Sequence, residues 1–500
     1  MTVADLIGRL SGVEDRSMVG DLARERAVTA ITYDSRRVTQ GAIFVAMQGV
    51  HLDGVRFVSE AMNRGAALVV SASGVSRVPG IPWLTVKDAR LTLAELATAF
   101  HGHPSRELRV VGITGTNGKT TTTYLLASVL EAAGFQCGRI GSVHHRTGRR
   151  DEVAERTTPE APDVQSLLRE MVDQGCSACV MEVSSHALAM RRVDGTRFAA
   201  AVFSNLSRDH LDYHTDMTQY FEAKRRLFDM LPENAPAVVN MDDPRGRELV
   251  ASVKRPLTYA IDQEADVMPE RIESSLSGHH LDLQTPSGRL RVRALLPGRL
   301  NIYNVLAAVG TAVALDVPLP AIQRGIAQLE GVPGRFEVIS TPNDDVCVVV
   351  DFAHTDDALR LLLTAVRALC EREMTVVFGC GGDRDRTKRP LMGAVAARLA
   401  DLVVLTSDNP RSEDPEEIVA DISRGFGSAG RGGAPAPVCI IDRRAAITYA
   451  IDAAEPGDVV VIAGKGHETD QVIGDERRPF DDRVVAASAL SLRRTRATPA

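Results

Sequence analysis

The chain is 500 residues long, 44% apolar and 25% charged, with 58 Lys and Arg against 65 Asp and Glu for a formal net charge of −7. This length exceeds one ordinary core and calls for about three domains, and the composition is that of a globular protein with ample apolar surface to bury. The acidic balance, with no Lys or Arg stripe, argues against a nucleic-acid partner and leaves only small, locally held phosphates as anionic ligands.

No stretch approaches the ~18 uninterrupted apolar residues of a membrane span, and acids occur early in the chain where a leader would be apolar. A cytoplasmic protein without stable membrane insertion is expected. The 7 cysteines are an odd number spread from Cys137 to Cys439, so no disulfide framework is expected. Cys176 and Cys179 have zinc-like spacing, but no second Cys or His pair follows at finger distance, and they read as two half-buried thiols.

In chain order, residues 1–104 hold short β-like segments at 42–46 and 67–70 between Gly- and Asp-rich turns. A helix follows with Leu93, Leu96, Ala97 and Phe100 at helical spacing, and residues 101–104 stop it and read as a linker. Residues 105–332 open with a strand at 109–113, a Gly-rich turn, and a helix whose inner face is Leu125, Leu126, Val129, Leu130 and Ala133, ending at Gly134. Apolar strands are expected at 178–181, 200–203 and 237–239. Continuous apolar strands alternating with helices make a parallel sheet covered on both faces. Residues 333–500 repeat the rhythm with strands at 346–350, 375–378, 402–405, 438–441 and 459–462, and a surface loop at 427–437. A Rossmann-like α/β domain with its site at the carboxyl ends of those strands is expected there.

The turn Gly115-Thr116-Asn117-Gly118-Lys119-Thr120, with Thr121 behind it, joins strand to helix. That is the arrangement in which backbone N–H groups and a helix N-terminus surround a polyphosphate. Lys119 is placed to reach the β- and γ-phosphates and the Thr120 hydroxyl to ligate Mg²⁺. The strict Walker form has glycine where this chain has Ile113, with Gly112 one residue early. A phosphate loop alone does not name a reaction. Beside it, Glu182 ends the strand at 178–181 and His210 follows the strand at 200–203. A carboxylate and a neutral imidazole leaving neighbouring strands are candidate metal ligands.

The segments 115–120, 181–186, 205–214, 220–224, 301–304, 332–337 and 351–354 follow in the order found in the Mur ligases, and the chain resembles that family over essentially its whole length. The resemblance implies three domains: an N-terminal UDP-binding α/β domain, a central P-loop ATPase-type domain and a C-terminal Rossmann-like domain. It implies ATP on the loop, with Asn301 and Asn304 toward the adenine, Arg335 at the hinge, and Asp351 and His354 near the chemistry. It implies two Mg²⁺ held by Thr120, Glu182, His210 and a carbamylated Lys224. Without the resemblance, Lys224 in YFEAKRRLF reads as a surface helix lysine. Phe352 and Asp356 depart from the family's Tyr and Pro.

For substrates, Asp34-Ser35-Arg36 with Gly41 and 44–46 resembles the family's UDP-binding segment, and Ser35 carries that expectation. Thr157, Thr158, Ser184 and Arg192 resemble the residues that receive the dipeptide end of a UDP-muramoyl dipeptide; Met190 stands where some relatives have Gln. Asp408-Asn409-Pro410-Arg411 has the form of diaminopimelate-adding members, with Arg384, Gly464 and Glu468 completing that pocket. The far carboxylate of diaminopimelate needs a cationic partner when buried, and its far amine an anionic one. The implied activity is ADP-forming amide ligation through an acyl phosphate in peptidoglycan precursor synthesis. A monomer acting on small molecules alone is expected. The rivals are a lysine-adding member, a folylpolyglutamate synthase-like ligase, and a P-loop switch that forms no covalent product.

Overall fold

The structure, a computed structural model, describes residues 1–49, 53–211, 213–427 and 436–497. Most of the loop expected at 427–437, and Asp212 within the 205–214 run, lie outside the described residues. Among the described residues no helix is long and apolar enough to cross a membrane.

Three α/β sheets follow one another along the chain. The first has five strands in the order Val13–Asp15, Trp83–Val86, Leu68–Ala72, Ile43–Ala46, Ile31–Thr32, parallel except for the first. The second has eight strands: Pro256–Tyr259, Ala237–Asn240, Phe198–Phe203, Arg109–Thr114, Ala178–Glu182, Cys137–Ile140, His144–Thr147, Arg150–Val153. Its first six are parallel and its last two form an antiparallel extension. Arg109–Thr114 lies between two strands that both come later in the chain, so the phosphate loop leaves from a topological switch point. The parallel register opposes Glu182 to Ile113 and Phe203 to Thr114, bringing the next residues of both neighbours level with the loop.

The third α/β sheet has six strands in the order Glu337–Val338, Cys347–Asp351, Val459–Ala463, Met374–Phe378, Leu402–Leu405, Val438–Cys439, parallel except for the first. The segments carrying Phe352, Arg384, Asp408 and Gly464 all follow its carboxyl edge. The fully buried Arg443 braces that edge: it pairs with Asp482 at 2.7 Å and donates to the carbonyls of Ser407 (3.3 Å) and Ala463 (3.0 Å).

Several features differ from the sequence expectation. Residues 268–294 form a separate three-stranded antiparallel sheet, Met268–Ser275, Gly278–Thr285 and Gly288–Ala294, where no element was expected. From His279 through Thr285 and along Gly288–Ala294 only alternate residues are buried, so no continuous apolar run marks these strands. The last strand of the C-terminal sheet shrinks to Val438–Cys439. The connection after Phe100 contains a 3₁₀ turn, Pro104–Arg106, whose buried Ser105 accepts from the Arg197 N–H at 3.0 Å, so it is docked rather than a free linker. Cys176 and Cys179 are both buried, not half-buried.

Candidate functional site

The loop geometry begins with two glycines. Gly115 has φ 146°, and a Cβ there would stand 1.9 Å from the Ser204 Oγ; Gly118 has φ 88°, with the Asn304 Oδ1 2.2 Å from its Cβ position. Only residues without side chains let the loop lie this close to both walls. The half-buried Lys119 donates to the carbonyls of Gly115 and Thr116, each at 2.9 Å. Burial pushes its pKa down, while the charges of Glu182 and Asp209 oppose the shift.

Lys224 donates to the same Gly115 carbonyl at 2.7 Å and sits 4.4 Å over the Tyr220 ring. It is 1% exposed, so the surface reading of its helix fails. Within Met217–Asp229, Tyr220, Lys224 and Phe228 share the stripe that faces the protein. A lysine in register with apolar residues was the signal. Burial, with Lys119 next in effect and only Asp209 opposing, holds this ammonium well below the usual lysine range.

Glu182, 1% exposed, accepts from the Thr120 hydroxyl (3.0 Å), the Ser142 N–H (2.8 Å) and the Ser142 hydroxyl (3.1 Å). The Arg335 guanidinium reaches the Thr120 hydroxyl at 3.2 Å and stacks 4.6 Å over the Phe352 ring. His210, at φ 54°, keeps 38% of its side chain exposed, yet the atoms crowding its other face push its imidazole down, with Asp209 pulling the other way. The Asn304 Nδ2 donates to the Asn301 Oδ1 at 2.9 Å. Asp351 accepts the N–H groups of Phe336 (2.7 Å) and Ala353 (2.8 Å), and His354 Nδ1 lies 2.8 Å from the Phe352 carbonyl.

Lys119, Thr120, Ser142, Glu182, His210, Asn301, Asn304, Arg335, Asp351 and His354 line a cavity of about 270 Å³, whereas Gly115 and Lys224 are not in its lining. A second cavity, of about 520 Å³, is lined by Arg384, Asp408, Asn409, Arg411, Gly464 and Glu468. Asp209, His210, Phe352, His354 and Thr355 belong to the walls of both, so the cavities share one partition. Arg411, at φ 51°, donates to the Gly382 carbonyl at 2.7 Å, and its backbone pairs with the hairpin Asp470–Ile473/Glu476–Pro479. Burial first, and the nearby Arg384 second, push its guanidinium down. A Cβ on Gly464 would stand 2.6 Å from the Asp408 Oδ2. Between the second and third α/β sheets, Gly334 rests on Gly466 and His467 so closely that a Cβ would lie 2.0 Å from the His467 nitrogen.

Comparison with known proteins gives this arrangement its family. Residues 27–101 match the Mur ligase family catalytic domain, residues 113–312 the Mur ligase middle domain, and residues 334–466 the Mur ligase glutamate ligase domain. The chain is 46% identical over 470 residues to the UDP-N-acetylmuramoyl-L-alanyl-D-glutamate–2,6-diaminopimelate ligase of Gloeobacter violaceus, covering 94% of this chain and 95% of that one. The chain belongs to the Mur ligase family. A solved structure titled as UDP-N-acetylmuramoyl-L-alanyl-D-glutamate–2,6-diaminopimelate ligase matches this Mur ligase with a TM-score of 0.66 at 35% identity, over 94% of this chain and 96% of that one. A Mycobacterium tuberculosis folylpolyglutamate synthase matches at TM-score 0.60 and 19% identity, over 81% of this chain and 95% of that one, and shares the fold.

Not every expected residue of this Mur ligase joins the two cavities. Thr157 and Ser184 line the first, and Thr158, buried behind it, donates to the Glu182 carbonyl at 2.8 Å and accepts the Ser184 N–H at 3.1 Å. Arg192 lines neither cavity: its Nε is 2.8 Å from the Glu160 Oε1, an ion pair without hydrogen-bond alignment. The other guanidinium nitrogens donate to the Thr158 carbonyl and the Met190 sulfur. Ser35 also stands apart, its hydroxyl donating to Glu60 at 2.9 Å, and Pro410 is absent from the lining of the second cavity. Sequence reasoning missed Ser142 and Lys465. Ser142 follows a short strand with nothing local to mark it; Lys465, inside the Gly464–Glu468 run, was passed over as a bystander.

Proposed function

We propose that this Mur ligase joins 2,6-diaminopimelate to the D-glutamate γ-carboxylate of UDP-N-acetylmuramoyl-L-alanyl-D-glutamate, converting ATP to ADP and phosphate, as a cytoplasmic monomer in peptidoglycan precursor synthesis. The observation that carries this reading is the shared partition: a phosphate-loop cavity and a cavity lined by Arg384, Arg411 and Glu468 meet at Asp209, His210 and His354. On this reading residues 1–104 hold the uridine end, 105–332 the ATP and 333–500 the amino acid.

In the proposed reaction a γ-carboxylate oxygen of D-glutamate attacks the γ-phosphorus of ATP and the bond to the ADP oxygen breaks, leaving an acyl phosphate. An amine of diaminopimelate then attacks the acyl carbon, loses a proton, and phosphate departs. Lys119 and Arg335 are placed to hold phosphate oxygens. The fit to Mg²⁺ rests on Glu182 and Thr120, hard oxygen donors 3.0 Å apart at the foot of the loop. They would hold one ion, and His210 with Lys224 as its carbamate a second, supplying positive charge to the triphosphate. Among the described residues no three His, Cys, Asp or Glu side chains converge on one point, so phosphate oxygens and water would complete either shell. A buried lysine facing Lys119 with no carboxylate on its Nζ suits carbamylation, which requires a neutral amine and replaces a cation by an anion.

The test is ADP release from the purified chain with UDP-muramoyl dipeptide and each of diaminopimelate and L-lysine. Release only when dipeptide and diaminopimelate are both present is expected. Release without them would favour a switch protein, and a preference for L-lysine would overturn the amino-acid assignment.

A further inference from the structure

Lys465 is fully buried, yet nothing in the proposed reaction uses it. An ammonium has three N–H donors, and here all three are occupied: by the Asn409 Oδ1 at 3.1 Å, the Glu468 Oε2 at 2.9 Å and the Asp470 carbonyl at 2.6 Å. It therefore has no donor left for a ligand. Asn409 is committed in the same way, its Oδ1 also accepting the Val472 N–H at 3.0 Å and its Nδ2 donating to the Glu468 Oε2 at 2.8 Å. Glu468 thus has one carboxylate oxygen held twice from within the protein. No protein donor meets its Oε1 among the described residues, and its side chain stays 36% exposed where it lines the second cavity.

We propose that Lys465 is a positioning residue that sets amino-acid specificity: by fixing the Glu468 Oε2, together with Asn409, it presents the Oε1 as a directed acceptor for the far ammonium of the incoming diamino acid. Arg384 and Arg411 on the same cavity then face the neighbouring carboxylate. A buried cation that holds one oxygen of a carboxylate lowers the number of ways the other oxygen can point, which converts a mobile acid into a directional acceptor. The inference rests on the diaminopimelate reading.

The experiment compares kcat/KM for diaminopimelate with that for 2-aminopimelate, which lacks the far amine, using the full chain with ATP and UDP-muramoyl dipeptide. Lys465→Met is expected to reduce the preference for diaminopimelate by about tenfold or more while 2-aminopimelate is used within about threefold of the wild-type rate. In a Glu468→Gln background the same substitution should change the preference by less than about twofold, because the group through which Lys465 acts has been neutralised. This neutral pair also leaves no uncompensated buried charge, so it reads the coupling even where Lys465→Met alone does not fold. An unchanged preference in Lys465→Met, or an equal loss in both backgrounds, overturns the proposal, as does a wild-type chain that ligates both amino acids without preference. A wild-type chain that ligates neither overturns the functional reading first.

Discussion

The two fully buried lysines, one near each cavity, are held on opposite electrostatic plans. Beside the phosphate loop, the Lys224 ammonium meets a peptide carbonyl and an aromatic face, with Lys119 on the same carbonyl. At the edge of the C-terminal sheet, Lys465 meets a carboxylate, an amide and a carbonyl. Lys224 is thus a buried cation with no carboxylate on its Nζ. Lys465 is compensated from within the protein. On the proposed reading, phosphate chemistry and amino-acid selectivity are separated by one partition.

The sharpest way to break this contrast is Lys119→Ala, which is expected to lower ADP release by about three orders of magnitude through loss of charge at the phosphates. Activity near wild type would show that the loop cation is ornamental. Lys224→Ala should cost about a hundredfold and recover part of that when a small carboxylate such as formate is added, since an added anion would take the place of the proposed carbamate. A variant as active as wild type would remove the second anion from the first cavity. Arg411→Ala should raise KM for diaminopimelate by about tenfold to a hundredfold, with KM for ATP unchanged. A matching rise for ATP would mean that the two plans are not separate. Phe352→Tyr should alter kcat by less than about threefold, because the ring acts through its face against Arg335.

The smallest effect concerns pH. Burial first, and Arg335 second, push the His467 imidazole from 6.5 to about 3. The unfolded chain takes up this proton at a higher pH than the folded one. The contribution of His467 to stability is then full above about pH 6.5 and lost as pH falls toward 3. The midpoint of thermal unfolding should fall over that window, and His467→Asn should flatten the fall. An equally steep fall in the variant would place the sensitivity elsewhere.

The parallel strands were legible because both their faces are buried, so residues 110–113 within the loop strand and Val459–Ala463 read as continuous runs free of charged residues. Met268–Ser275 was not, since none of its residues is fully buried and neither period stands out. In the site, the loop was legible from its glycines and their neighbours in sequence. Ser142 and Lys465 were not, because each acts on a side chain reached only through the fold. Arg192 was read for the chemistry of its guanidinium, and what the sequence hid was Glu160 packed against it. Lys224 lay between these cases: helical spacing placed it on the apolar stripe, but a charged residue there is ordinarily taken to face water.

The connector between the second and third α/β sheets has a consequence for how they can move. Val332 is packed into the core of the second, while Gly334 is seated on Gly466 and His467 of the third. Between them stands Pro333 alone. The Arg335 N–H donates to the Val332 carbonyl at 3.0 Å, and Gly334 has φ 64°, the pattern of a type II turn with proline second and glycine third. The ring of Pro333 freezes one torsion, and the seat of Gly334, with no clearance for even a methyl group, removes more. Any swing of the C-terminal sheet toward the phosphate loop must turn on one or two peptide units, an axle rather than a tether.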